Sequence, residues 1–150
     1  MSKLGKALGS KYEQNKLSIL TRTFQLGDHT FKVRVPSVGE IETIYEYFKN
    51  PDDAKIEIAY QSLIKNFKEI EVDGDVIIEG RSMREAARNK SIIEYRITEY
   101  FKFLIPEDGQ SLSDLEYLDI DSEFPFSIQM QFIDKINEVI SPEYKEAREK

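Results

Sequence analysis

The chain has 150 residues and a net charge of −7; 40% of its residues are hydrophobic, 33% are charged and none is cysteine. That length and balance predict one domain with a buried core and argue against a disordered or membrane-embedded chain. The lack of cysteine excludes a disulfide framework and every thiolate metal site. No apolar run approaches the ~20 residues that span a bilayer, and the N-terminus lacks the apolar stretch of a secretory signal. The expectation is a protein that works in a reducing cytoplasm.

Charge is unevenly spread. Residues 1–22 carry Lys3, Lys6, Lys11, Lys16 and Arg22 against Glu13 alone, a local balance of +4, which leaves −11 on the other 128 residues. An acidic body argues against general nucleic-acid binding, which depends on Lys and Arg releasing counterions from phosphate. Residues 1–17 read as a basic, partly ordered arm, available to an acidic partner, lipid head groups or the body itself. Within it Leu4, Ala7, Leu8 and Tyr12 are spaced for one helical face over residues 3–15, although Gly5 and Gly9 weaken that helix by roughly 1 kcal/mol each.

Residues 18–26 and 30–35 read as two strands joined by turn residues Gly27, Asp28 and His29. In the second, Phe31, Val33 and Val35 alternate with Thr30, Lys32 and Arg34, the period of a strand with one buried face. Pro36 ends it, and Ser37 with Glu40 forms a capping box that opens a helix to about Lys49, with Val38, Ile41, Ile44, Tyr45 and Phe48 inward. Asn50-Pro51-Asp52-Asp53 breaks that helix and starts another, whose stripe is Ile56, Ala59, Tyr60, Leu63, Phe67 and Ile70. Asp73-Gly74 then joins two short apolar runs within residues 71–78 as a small hairpin or extended excursion.

The longest helix is predicted from Ser82, capped with Glu85, to about Leu104 ahead of Pro106. A loop over residues 107–123 holds one helical turn near Ser113 to Tyr117, and a last helix runs from Pro125 to Ile140, stopped by Ser141-Pro142. On that last helix Phe126, Ile128, Met130, Phe132, Ile133, Ile136, Val139 and Ile140 cover more of the circumference than a one-sided stripe. It is either the central helix of the core or a helix with a second apolar face for a partner. The predicted architecture is mainly α with a small β component (α+β), an N-terminal β-hairpin leading into a bundle of about four to five helices. One globular domain spans residues 18–141, and residues 142–150 form a charged flexible tail.

Catalytic chemistry is hard to find. One histidine and no cysteine leave only carboxylate metal sites, and Asp73-Gly74-Asp75 lacks the spaced ligands of a calcium loop. Carboxylates such as Glu42, Glu46, Asp52 and Asp53 fall on expected solvent faces, and His29 sits at a hairpin tip. Neither a glycine-rich phosphate loop nor a nucleophile elbow is present. Arg81, Arg84, Arg88, Lys90 and Arg96 make the long helix basic and are read as partners of Glu85, Glu94 and Glu99. The reading is a binding protein with no catalytic residues, no metal and no cofactor.

One segment carries a resemblance. Phe24, Leu26, Gly27 and Thr30 to Val35, followed by Pro36-Ser37-Val38-Gly39-Glu40 opening a helix, behind a short basic arm, resemble the tail assembly chaperones of long-tailed, siphovirus-type bacteriophages. Members of that family are small, acidic and mainly helical. The resemblance implies a non-enzymatic protein of the host cytoplasm that coats the helical tape measure protein until the tail tube polymerises, and that is absent from the mature virion. It also implies a longer frameshifted form that engages the tail tube protein; self-association stays open, and neither nucleic acid nor membrane is an expected partner.

A helical client calls for an apolar groove. The groove is expected on the last helix, at Phe126, Met130, Phe132, Ile133 and Ile136, with Tyr100 and Phe101 of the long helix. Replacing Phe132 or Met130 with Asp is then expected to abolish client binding and leave the fold intact. Two rivals stand beside this reading: a structural tail or connector subunit (or generic adaptor) whose hairpin adds a strand to a neighbour, and an acidic inhibitor of a basic host protein.

Overall fold

A computed structural model describes residues 2–140. About 60% of it is helical, with two small antiparallel hairpins, so the fold is mainly α with a minor β part. In chain order the elements are α1 (Lys3–Leu8), α2 (Ser10–Ile19), β1 (Thr21–Leu26), β2 (His29–Arg34), α3 (Val38–Lys49), α4 (Asp53–Leu63), a 3₁₀ turn (Lys68–Ile70), β3 (Ile77–Ile78), β4 (Arg81–Ser82), α5 (Met83–Phe101), α6 (Tyr117–Glu123) and α7 (Phe126–Ile140). The expected stop at Ser141-Pro142 and the tail 142–150 lie outside the described residues. The chain packs as two compact units, one of residues 2–36, 100–115 and 124–140, the other of 37–99 and 116–123.

In the first unit, the arm is more helical than its glycines suggest. Gly9, at φ 92°, splits it into α1 and α2, and α2 runs on to Ile19, so the first strand begins at Thr21 rather than residue 18. Ser2 caps α1 by accepting from the Gly5 N–H. Gly5 is buried, and a Cβ there would strike the end of the Glu13 side chain, which would have to turn aside. The hairpin turns on Gly27-Asp28, with Gly27 at φ 62° and Leu26 opposite His29. Phe24 faces Phe31 across the ladder, their rings stacked at 5.3 Å.

The long helix ends three residues sooner than its apolar pattern predicts. Past Phe101 the chain lies along β2: Arg34 N–H donates to the Phe103 carbonyl at 2.8 Å, Ile105 N–H to Lys32 at 2.8 Å, and Leu104 bridges Val33. The backbone partners offered by β2 outweigh one more helical turn before Pro106. Against this sheet packs α7, with Gln129, Phe132, Ile133 and Ile136 buried at helical spacing.

In the second unit, Ser37 and Glu40 form the expected capping box on α3. Ile44 is buried, but Val38 and Tyr45 point to solvent; Tyr47 packs instead, stacked on Tyr95 of α5 at 3.9 Å and hydrogen-bonded to Ser91 at 2.8 Å. Asp52 caps α4 through the Ala54 N–H. The core of this unit joins Ile56, Tyr60 and Ile64 with Val76 and Ala87, flanked by Ala59, Leu63, Ile78 and Met83. The α4 stripe stops at Ile64, because the helix ends there; Phe67 and Ile70, predicted inward, lie in the following turns and are exposed. The expected turn in the 107–123 loop is instead the seven-residue α6, slightly later in the chain.

Candidate functional site

Five of the seven residues expected to line a client groove are interior. Tyr100, Phe101, Phe132, Ile133 and Ile136 are each at most 4% exposed. Phe132 is the hub of an aromatic cluster, 6.0 Å from Phe24, 5.0 Å from Phe31, 4.7 Å from Phe101 and 4.9 Å from Phe124. Phe132 belongs to the core, so an Asp in its place would bury an unpaired carboxylate and disrupt the fold; Ile128, Val139 and Ile140, on the broader part of the apolar face, are only half-buried. Met130 is half-buried, and Phe126, 52% exposed at the start of the helix, is the one member of the set that faces solvent.

The hairpin side of this unit carries a groove of about 510 Å³, lined by Phe31, Leu104, Ile105, Pro106 and Leu112 with His29 and Lys32 at its rim. The Phe103–Ile105 segment occupies the outer edge of β2. A neighbour's strand therefore finds that edge already paired.

A second surface was missed from sequence. Residues 67–82 leave α4 and return to α5 through the 3₁₀ turn and two tight reversals, Asp73-Gly74 and Glu79-Gly80. All four turn residues have positive φ (52°, 78°, 52° and 80°), the signature of type I′ turns. Their strands are too short to hold themselves; side chains do that. Asp75 accepts from the Val76 N–H at 2.8 Å, the Arg84 N–H at 3.0 Å and the Ser82 hydroxyl. The same Ser82 hydroxyl accepts from the Glu85 N–H, opening α5 as predicted.

Arg84 locks the excursion to α4. Its guanidinium lies 3.8 Å from the centroid of the Tyr60 ring, donates to the Gly74 carbonyl at 2.8 Å and pairs with Glu57 at 2.8 Å. Glu71 accepts from the Tyr60 hydroxyl. Burial, with Glu71 adding to it, pushes the Tyr60 phenol up to about 12, so it stays a donor at all working pH. The Ser82 hydroxyl, helped by the backbone N–H groups and Arg84, holds Asp75 below the usual carboxylate range, and Arg84 does the same for Glu57. Of the basic residues on α5, Lys90 pairs with Glu94 as read from spacing, whereas Arg84 takes Glu57 and Arg88 donates to the Phe48 carbonyl.

This scaffold holds large apolar side chains in solvent: Phe67 (42% exposed), Ile70 (53%), Val72 (68%) and Ile77 (55%). The arm does likewise with Leu4, Leu8, Leu17 and Ile19. The signal in the sequence was the alternation around Asp73-Gly74, where Val76 and Ile78 pack inward and Ile77 between them faces out. Among the described residues, no three His, Asp or Glu side chains are grouped to hold a metal ion, and no helix is long and apolar enough to cross a membrane. No known protein family, no curated protein and no solved structure matches this chain.

Proposed function

We propose that this chain is a non-enzymatic assembly chaperone that binds a long helical client through exposed apolar side chains, and that it does so as a tail assembly chaperone of a long-tailed bacteriophage. The client is the tape measure protein, held soluble in the host cytoplasm until tube subunits displace the chaperone, which stays out of the mature virion. The observation that carries this reading is the rigidly pinned excursion that keeps Phe67, Ile70, Val72 and Ile77 in solvent. Clustered exposed apolar residues with a polar rim mark interaction surfaces. The hairpin-to-helix segment on which the resemblance rests also folds as a hairpin and a capped helix.

The physics suits the task. Each contact with a client buries a few apolar side chains, at roughly 25 cal/mol per Å² before the costs of association. Weak contacts repeated along a long client give avidity that displacement can still undo. The −11 balance of residues 23–150 keeps coated complexes apart in solution.

The test is co-expression with the tape measure protein of the phage that encodes this chain. A soluble complex with many copies per client, where the client alone precipitates, supports the chaperone. A client that still precipitates, together with this chain appearing in finished tails, overturns it in favour of a structural subunit.

A further inference from the structure

Charge divides unequally between the two compact units. Among the described residues, the unit of 2–36, 100–115 and 124–140 holds nine Lys or Arg against seven Asp or Glu, a balance of +2. The unit of 37–99 and 116–123 holds nine against eighteen, a balance of −9. In the first unit Lys3, Lys6 and Lys11 stand exposed on α1 and α2. Glu13, the one acid on those two helices, turns a carboxylate oxygen inward against Gly5. What the arm shows to solvent is therefore mostly positive.

Burial does not hold these helices. α1 has six residues and buries Gly5 alone, and α2 has ten and buries none. Helices this short are marginal in water without packing. They also keep Leu4, Leu8, Leu17 and Ile19 in solvent. Such an arm gains from an acidic surface that has apolar groups of its own, and a second copy of the chain supplies one. Asp119, Asp121 and Glu123 lie on α6, with Glu116 just before it, and no Lys or Arg occurs between Lys102 and Lys135. Leu118 stands exposed among them.

We infer that the arm of one copy docks on α6 of another, its lysines against those carboxylates and its leucines against Leu118. A lipid surface fits the arm less well. Leu17 and Ile19 are about 200° apart around α2, on opposite sides, whereas an interfacial helix gathers its apolar residues on one face. Each copy offers both an arm and an α6, and the contact needs no client.

Light scattering of the full chain at 0.1 M salt is expected to give a mass that rises with concentration above the 17.5 kDa of one chain. There the Debye length of ~10 Å screens the repulsion between whole acidic chains but spares charges in contact; at 1 M it is ~3 Å, and the mass is expected to fall back. Lys3→Glu/Lys6→Glu/Lys11→Glu and Glu116→Lys/Glu123→Lys are each expected to weaken association about tenfold with unchanged circular dichroism. An equimolar mixture of the two pairs the basic arm of one with the acidic α6 of the other, and is expected to restore it. Lys3→Gln/Lys6→Gln/Lys11→Gln, which only neutralises the arm, is expected to show a smaller loss. A monomer at every concentration, full association by either reversed variant, or a mixture of folded variants that stays monomeric overturns the inference. So does uptake by phosphatidylserine vesicles without self-association, which would make a membrane the occupant.

Discussion

The last helix and the excursion after α4 both carry large apolar side chains, yet many of these end in opposite environments. On α7, Phe132, Ile133 and Ile136 sit at i, i+1 and i+4 and find a sheet with two phenylalanines to cover them. In the excursion, Phe67, Ile70, Val72 and Ile77 belong to segments of two or three residues, and the faces that find the core carry Val76 and Ile78 instead. Hydrophobicity alone therefore does not identify a binding surface. What leaves apolar groups in water is a polar framework rigid enough to stop them from collapsing, here Asp75 and Arg84.

The comparison breaks most sharply at Phe132. Phe132→Ala is expected to cost about 3 to 5 kcal/mol in chemical denaturation, since it empties the centre of the aromatic cluster. A change below 1 kcal/mol would mean α7 is a surface after all. Asp75→Asn should come next, because three donors lose their charged acceptor at once. Thermal melting should show a lower midpoint, and proteolysis should cut first within residues 67–82.

The same carboxylates set an acid limit. Asp75 and Glu57 titrate lower in the fold than in the unfolded chain, so their contribution is whole above the ordinary carboxylate values of ~3.9 and ~4.3. It is lost as pH falls through their depressed folded values. Melting followed from pH 7 to pH 3 should therefore fall steeply only at the acid end, and the slope should flatten in Asp75→Asn.

Ser37→Ala, removing the cap of α3, is expected to cost about 1 kcal/mol by urea denaturation. The smallest effect on stability belongs to Ile70→Ser/Val72→Ser, within about 0.5 kcal/mol of the parent, as expected for exposed side chains. If that pair destabilises by several kcal/mol, these two side chains are core and the contrast with α7 disappears.

Local signals were legible where neighbouring residues alone decide the outcome. The hairpin of Phe24 to Arg34, the Ser37/Glu40 capping box, the break and new helix at Asn50-Pro51-Asp52-Asp53 and the Asp73-Gly74 turn all follow from chemistry within a few residues, and each is present. Where competing partners decide, the pattern misled: residues 102–104 left the helix, Tyr47 displaced Tyr45, and five of the seven residues expected to line a groove went into the interior. Sequence by itself determined the mainly helical class, the acidic body with its basic arm, and the caps and turns, because these depend on propensity and short-range hydrogen bonds. Only the tertiary structure decided which apolar residues are hidden and which face water, because burial depends on which surfaces meet across long stretches of chain.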